Sequence, residues 1–328
     1  MIKRMSFIIR RLLHAVFLLA AVSLLSFVVI SFVPGDFFDS IKLNPAISPE
    51  TVSAIRRQHG LDRSLPTRYF DWVRSGLRGD WGFSFAYDAP AAPIVLSRAK
   101  NTLLLTATAT LLAWIIAVPL GTWTATRARG WNEWLTGGTI STLQAIPELI
   151  IALILLMLAV RTGRLPAGGM VSVRDAGPSA VSNTWTEAKD VGLHLILPAI
   201  CLAAGLLPLL LVHIRSAVRD SLRSPFVEAA RACGIPSRRV LLRYALPAAA
   251  NPLISLFGLS LGMLMSSSLL IEMIFSWPGL GNLLVEAILQ RDLFLVIDST
   301  MLAATFLVAG NLIADILLYT NDPRIRSV

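Results

Sequence analysis

Long apolar runs recur at six places along the chain. They cover residues 12–33, 101–126, 135–160, 191–214, about 245–271 and 293–319. The first, second and fourth hold no Asp, Glu, Lys or Arg, and the fifth holds none before Glu272. The third contains only Glu148, and the sixth Asp298 and Asp315. A bilayer core asks for about 20 apolar residues in a helix. Backbone polar groups in hydrocarbon must be satisfied within the segment, so these runs predict α-helices. The pattern is that of an all-α polytopic membrane protein with six transmembrane helices.

Three polar segments separate the runs: 34–98, 161–190 and 215–244. The Lys and Arg distribution gives them sides. Fifteen basic residues fall at the two termini, after the second run and in 215–244. Five fall in the short loops of the opposite side. The excess marks the cytoplasmic face. Both termini and 215–244 are therefore expected inside, and 34–98 is an extracytoplasmic insert after the first helix. The expected division is 1–33, a cytoplasmic start and first helix; 34–98, the insert; and 99–328, the remaining transmembrane domain. The basic start and first run do not read as a cleavable signal, because the run is too long and ends in Pro34-Gly35-Asp36. Within the insert, Pro49 and Glu50 after Ser48 read as a helix start and Gly60 as its stop. Its aromatics (Tyr69, Phe70, Trp72, Trp81, Phe83, Phe85 and Tyr87) suit either a membrane interface or a protein contact.

Composition agrees with this reading. Hydrophobic residues make up 55% and charged residues 15% of 328, with mean hydropathy +0.68. A soluble domain carries about 25% charged residues. Two cysteines, Cys201 and Cys233, exclude a disulfide scaffold and a four-cysteine zinc site. The net charge of +9 follows membrane topology, so nucleic acid is not an expected partner.

Small residues recur at every fourth position in the second run (Ala109, Ala113, Ala117, Gly121, Ala125) and in the fifth (Gly258, Gly262, Ser266). Such ladders let helix backbones approach closely. Glu148, after Pro147, is the candidate to face a water-filled path, or else to hydrogen-bond between helices. Glu272 and Asp298 are expected at the interface, and Asp315 beside an arginine. Gly258-Leu259-Ser260-Leu261-Gly262 matches a nucleophile elbow in letters only, since it lies inside an apolar helix. His14, His59, His194 and His213 lack metal-ligand spacing, so no metal site is expected. None of Lys3, Lys42, Lys100 and Lys189 follows glycine. The chain therefore has no Walker A loop to wrap phosphates. No catalytic residue is assigned.

Segment 215–244 is the most informative. Ser224 suits a helix cap and Pro225 its first turn. Residues 225–233 are helix material, and Gly234 permits the left-handed backbone that ends a helix. Pro236 and Ser237 start a second short helix. Phe226, Ala229, Ala230 and Ile235 give the unit an apolar side among arginines. Such an element lies on a membrane surface or docks in a partner's groove.

Glu228-Ala229-Ala230, then Gly234, then Tyr244-Ala245-Leu246-Pro247 resembles the EAA motif of permease subunits of binding-protein-dependent ABC importers. Tyr244 stands where Ile is usual, and Cys233 where the related group carries Lys. The likeness extends along the chain to the first permease subunit of the dipeptide/oligopeptide/nickel group. It includes Pro34-Gly35-Asp36, Gly60-Leu61-Asp62, Gly79 to Ser84, His194 to Ala199, Glu272 to Gly281 and the tail Asp322-Pro323-Arg324.

The resemblance implies a subunit forming half of a translocation pathway beside a second homologous permease subunit. Two ATPase subunits would carry ATP and Mg, and none is expected in this chain. An extracytoplasmic binding protein would deliver the solute, a peptide or related small molecule. Glu228, Ala229, Ala230, Gly234, Leu246 and Pro247 would couple to the ATPases. Glu272, Pro278, Gly279, Gly281 and Asp315 would be gating or structural positions. The implied place is a bacterial or archaeal cytoplasmic membrane. The alternative is a self-contained secondary transporter or channel.

Overall fold

The computed structural model describes residues 2–32, 37–38, 49–58, 60, 62–127, 131–172 and 184–321. Pro34-Gly35-Asp36, Ser48, His59, Leu61 and the tail from Asp322 lie outside the described residues. Among the described residues the architecture is all-α with one hairpin of two-residue strands. In chain order the helices are α1 (Ile2–Ser31), α2 (Pro49–Gln58), α3 (Leu65–Gly76), α4 (Ala91–Thr126), α5 (Trp131–Ala145), α6 (Glu148–Thr162) and α7 (Thr184–Leu222). There follow α8 (Pro225–Ala232), α9 (Ser237–Val240), α10 (Leu246–Ala248), α11 (Ala250–Ile274), α12 (Leu280–Gln290) and α13 (Leu293–Asn321). The hairpin pairs β1 (Phe83–Ser84) antiparallel with β2 (Ala89–Pro90).

Among the described residues five helices are long and apolar enough to cross a bilayer. A sixth crossing exists if α5 and α6 are counted together, but they are bent by 83°. The single helix expected over 135–160 is thus corrected to a broken one. Pro147 supplies the reason: it has no N–H to donate, and its ring drives Ile146 out of helical backbone. Pro119 in α4 and Pro198 and Pro208 in α7 leave their helices unbroken. Proline alone therefore does not decide. Tolerated prolines sit where neighbouring groups re-satisfy the freed carbonyl.

The chain forms two compact units: 1–102 with 278–306, and 103–277 with 307–328. In the second, α7 is the central helix, packed by α5, α6 and α11. Its buried positions run from His194 to Val218 on more than one face, as expected for an apolar helix enclosed by others. The α4 ladder is buried as predicted, and a Cβ on Gly121 would lie 2.7 Å from Ile214 Cγ2. Gly258 and Gly262 of α11 meet Ala314 and Leu307 of α13. The α4 ladder and the two α11 glycines find partners within this chain, whereas Ser266 is exposed.

In the first unit, α3 docks on α1 through aromatic rings. Phe27 lies 5.3 Å from Tyr69 edge-on and 5.5 Å from Trp72. The hydroxyls of Ser23 and Tyr69 are 2.9 Å apart. The hairpin is tied down by Asp292. Its carboxylate accepts from Ser84 Oγ at 2.7 Å and from the Ala86 N–H at 3.1 Å. The aromatic insert residues thus serve internal packing, apart from Phe70 and Tyr87, which are exposed.

Candidate functional site: the short helix between two spans

The segment after α7 forms the helix, stop and second short helix its sequence predicts, but Ser224 occupies the cap position without making a side-chain cap bond. Ser224 is extended, and its hydroxyl turns back to donate to Ser221 O at 2.5 Å. Pro225 opens α8, where its missing N–H costs nothing. The helix ends by donating Cys233 N–H to Ala229 O (3.0 Å), Gly234 N–H to Arg231 O (2.9 Å) and Ile235 N–H to Ala230 O (3.2 Å). Gly234 takes φ +75°, the left-handed backbone that glycine adopts without strain. Ser237–Val240 forms the second short helix.

The inward side of α8 is Val227 and Ala230. They join buried Val240 and Ala245, with Leu222, Ile235 and Leu241 packed around them. This local core fixes the orientation of α8. It also divides the apolar side expected from sequence: Ala230 and Ile235 face in, whereas Phe226 and Ala229 are exposed, as are Glu228, Arg231 and Cys233. Phe226 is 47% exposed. Val227, the best-buried residue of the helix, was not singled out in the sequence, although it lies three positions before Ala230, on the same helix face. Leu246 is half-buried and Pro247 exposed. Residues Leu241–Ala245 form a π turn. Pro247 cannot donate to the Arg243 carbonyl four residues back, and local widening accommodates that gap.

Glu148 stands in the first turn of α6, directly after the break. A Cβ on Gly205 of α7 would lie 3.0 Å from its Cδ. The Ser267 side chain of α11 lies near it, while Oε1 is buried without a partner among the described residues. Three helices thus converge on one carboxyl group. Glu272 is fully buried rather than interfacial, and its carbonyl accepts from Trp277 N–H at 2.8 Å. Asp298 is buried too, accepting from Trp72 Nε1 at 3.3 Å. Asp315 is half-buried in α13.

Gly279 is the extended residue before α12, and Gly281 lies inside that helix. Just before them Ser276 takes left-handed backbone, at φ +51°. The Pro278 carbonyl accepts from Asn101 Nδ2 at 2.7 Å. Ser260 is fully buried, donates to Phe257 O at 2.7 Å and accepts from Trp114 Nε1 at 3.2 Å. Among the described residues its hydrogen-bond partners are thus a backbone carbonyl and an indole, a packing contact. His194 places Nδ1 2.9 Å from the Asp190 carbonyl. No metal-binding cluster occurs among the described residues.

Comparison with known proteins adds the family. The family model described as "Binding-protein-dependent transport system inner membrane component" matches residues 117–327. Its N-terminal companion matches residues 4–106. The Oligopeptide transport system permease protein AppB of Bacillus subtilis (strain 168) is 35% identical, over 98% of this chain and 99% of that protein. The Dipeptide transport system permease protein DppB of Escherichia coli (strain K12) is 30% identical over 98% and 99%. Among solved structures, a chain of the inward-facing MetNI methionine ABC transporter superposes with a TM-score of 0.48 at 16% identity, over 72% of this chain and 96% of that one. The chain belongs to the inner-membrane permease family of binding-protein-dependent transport systems, and it is a multi-pass membrane protein of that family.

Proposed function

We propose that this chain forms half of the translocation pathway of an ATP-driven importer for peptides or a related small solute, and couples to cytoplasmic ATPase subunits through α8. One observation carries the reading: α8 is clamped by its own small core yet turns Phe226, Ala229, Glu228 and Arg231 outward. A helix held rigidly with an unused amphiphilic face is suited to transmit a push from a partner's groove. Family membership and the names of the relatives support an importer and a peptide cargo.

In this reading a second homologous permease subunit completes the pathway. Two ATPase subunits supply ATP and Mg, and an extracytoplasmic binding protein delivers the solute. Both termini and 215–244 face the cytoplasm, and 34–98 faces outward. Gly234 ends α8 at a fixed angle, while Leu246 and Pro247 carry its movement into α11. Glu148, at the break between α5 and α6, faces the solute pathway. Glu272, Pro278, Gly279, Gly281 and Asp315 hold the ends of the crossing helices.

Purification from membranes containing all subunits tests the proposal against a self-contained transporter. ATPase subunits that co-purify and hydrolyse ATP in response to solute and binding protein support it. Gradient-driven flux through this chain alone in liposomes overturns it.

A further inference from the structure

The first compact unit contains a cavity of ≈ 720 Å³ under α3, bounded by the α1 end, the hairpin and the α13 start. This volume falls within the range of about 300–1,000 Å³ typical of small-molecule sites. We infer that it binds a small organic oxyanion, a carboxylate or phosphate carried on an apolar body.

Charge is the first reason. Four arginines and two aspartates line the cavity. Arg63 and Asp71 neutralise each other at 2.7 Å. Asp80 accepts the Gly82 N–H at 3.0 Å, which fixes the turn into the hairpin. Both carboxylates thus serve the fold. Among the described residues Arg74 and Arg78 make no ion pair and no side-chain hydrogen bond. The charge left open to a ligand is positive, and a guanidinium presents forked donors that match a carboxylate or phosphate.

The second reason is the wall. Exposed arginines on a bare surface are ordinarily just hydrated, but these border an aromatic surface held in place. Trp72 is fixed by its N–H to Asp298 and by Phe27. Phe294 lies so close to Gly82, at φ +87°, that a Cβ there would come within 2.5 Å of its ring. Phe83 completes the apolar side. A rigid apolar wall beside unpaired guanidiniums suits a ligand with an apolar body and one anionic end. The inference is independent of α8 and of any transport role.

Isothermal titration of the full chain in phosphatidylcholine nanodiscs with N-acetylphenylalanine and with its uncharged amide tests it. The acid is expected to bind about tenfold or more tightly than the amide, the usual scale for a charge-assisted contact. Arg74→Gln with Arg78→Gln is expected to remove that preference. Both side chains are exposed and unpaired, so the fold survives, as an unchanged thermal midpoint would confirm. Displacement by inorganic phosphate, or by phosphatidylglycerol built into the discs, identifies a phosphate source for the same oxyanion site. Equal affinity for acid and amide, an acid preference that persists in the double variant, or no binding of any probe overturns the inference.

Discussion

Replacing Gly234 separates the geometry of α8 from its mere presence. Gly234 sits at φ +75°, and nothing lies within 4 Å of a Cβ built there. Gly234→Ala therefore costs only the left-handed strain of an L-residue, about 1–2 kcal/mol. Proline is different in kind. Its ring holds φ near −65°, so the backbone must swing by about 140°. It also removes the N–H that donates to Arg231 O at 2.9 Å, a loss of about 0.5–1.5 kcal/mol. The swing redirects the chain at Ile235, pulling that side chain from the core of Val227, Ala230, Val240 and Ala245. Losing that burial adds roughly 1.5–3 kcal/mol. Together these are comparable with what the small buried side chains of this core contribute, so α8 loses its fixed orientation while the distant spans stay intact. Solute uptake and solute-stimulated ATP hydrolysis, measured in proteoliposomes beside subunit co-purification, provide the assay. Gly234→Ala should keep most coupled uptake. Gly234→Pro should insert normally but uncouple hydrolysis from uptake or release the ATPase. Normal coupling in the proline variant, or equal damage in both, refutes the reasoning.

Other substitutions test other parts of the account. Gly258→Ala should lower the thermal midpoint more than Gly262→Ala, because the new Cβ would lie 2.5 Å from the Ala314 Cβ in the first case and 3.2 Å from the movable Leu307 Cδ1 in the second. Trp72→Phe removes the indole N–H that donates to buried Asp298 and should destabilise by about 1–3 kcal/mol, read by thermal unfolding. Burial first, and then the Glu286 carboxylate, raise the Tyr87 phenol above its ordinary 10.0. The raised group stabilises fully below the unfolded value, and that contribution is lost as pH rises through the higher folded one. Tyr87→Phe should therefore flatten the fall in thermal midpoint above pH 10, whereas an unchanged slope removes Tyr87 as its cause. Glu148→Gln should change uptake kinetics without changing subunit assembly, and identical kinetics across solutes and pH exclude it from the pathway.

The apolar runs foretold every long helix, because lipid leaves the backbone no other solution. The α8 turn was equally legible, since Ser224, Pro225 and Gly234 each act through local backbone geometry. Effects that depend on packing were not. Pro147 breaks its helix while Pro119, Pro198 and Pro208 do not, so the residue type alone does not announce a break. The π turn before Pro247 and the left-handed Ser276 have no unambiguous local signal. Glu272 and Asp298 near the ends of apolar runs suggested an interface, yet both are enclosed. Position along a helix does not say which side a residue faces. Ser84, Trp72, Asp292 and Asp298 pair across more than two hundred residues, a separation that one sequence cannot bridge.

Cys233 allows the most direct test without any substitution. It is exposed at the end of α8, whereas Cys201 is buried. Labelling with a membrane-impermeant maleimide should succeed in inside-out vesicles stripped of ATPase subunits and be blocked when those subunits are restored. Labelling from the outside of intact cells, or equal labelling with and without the ATPases, contradicts the account.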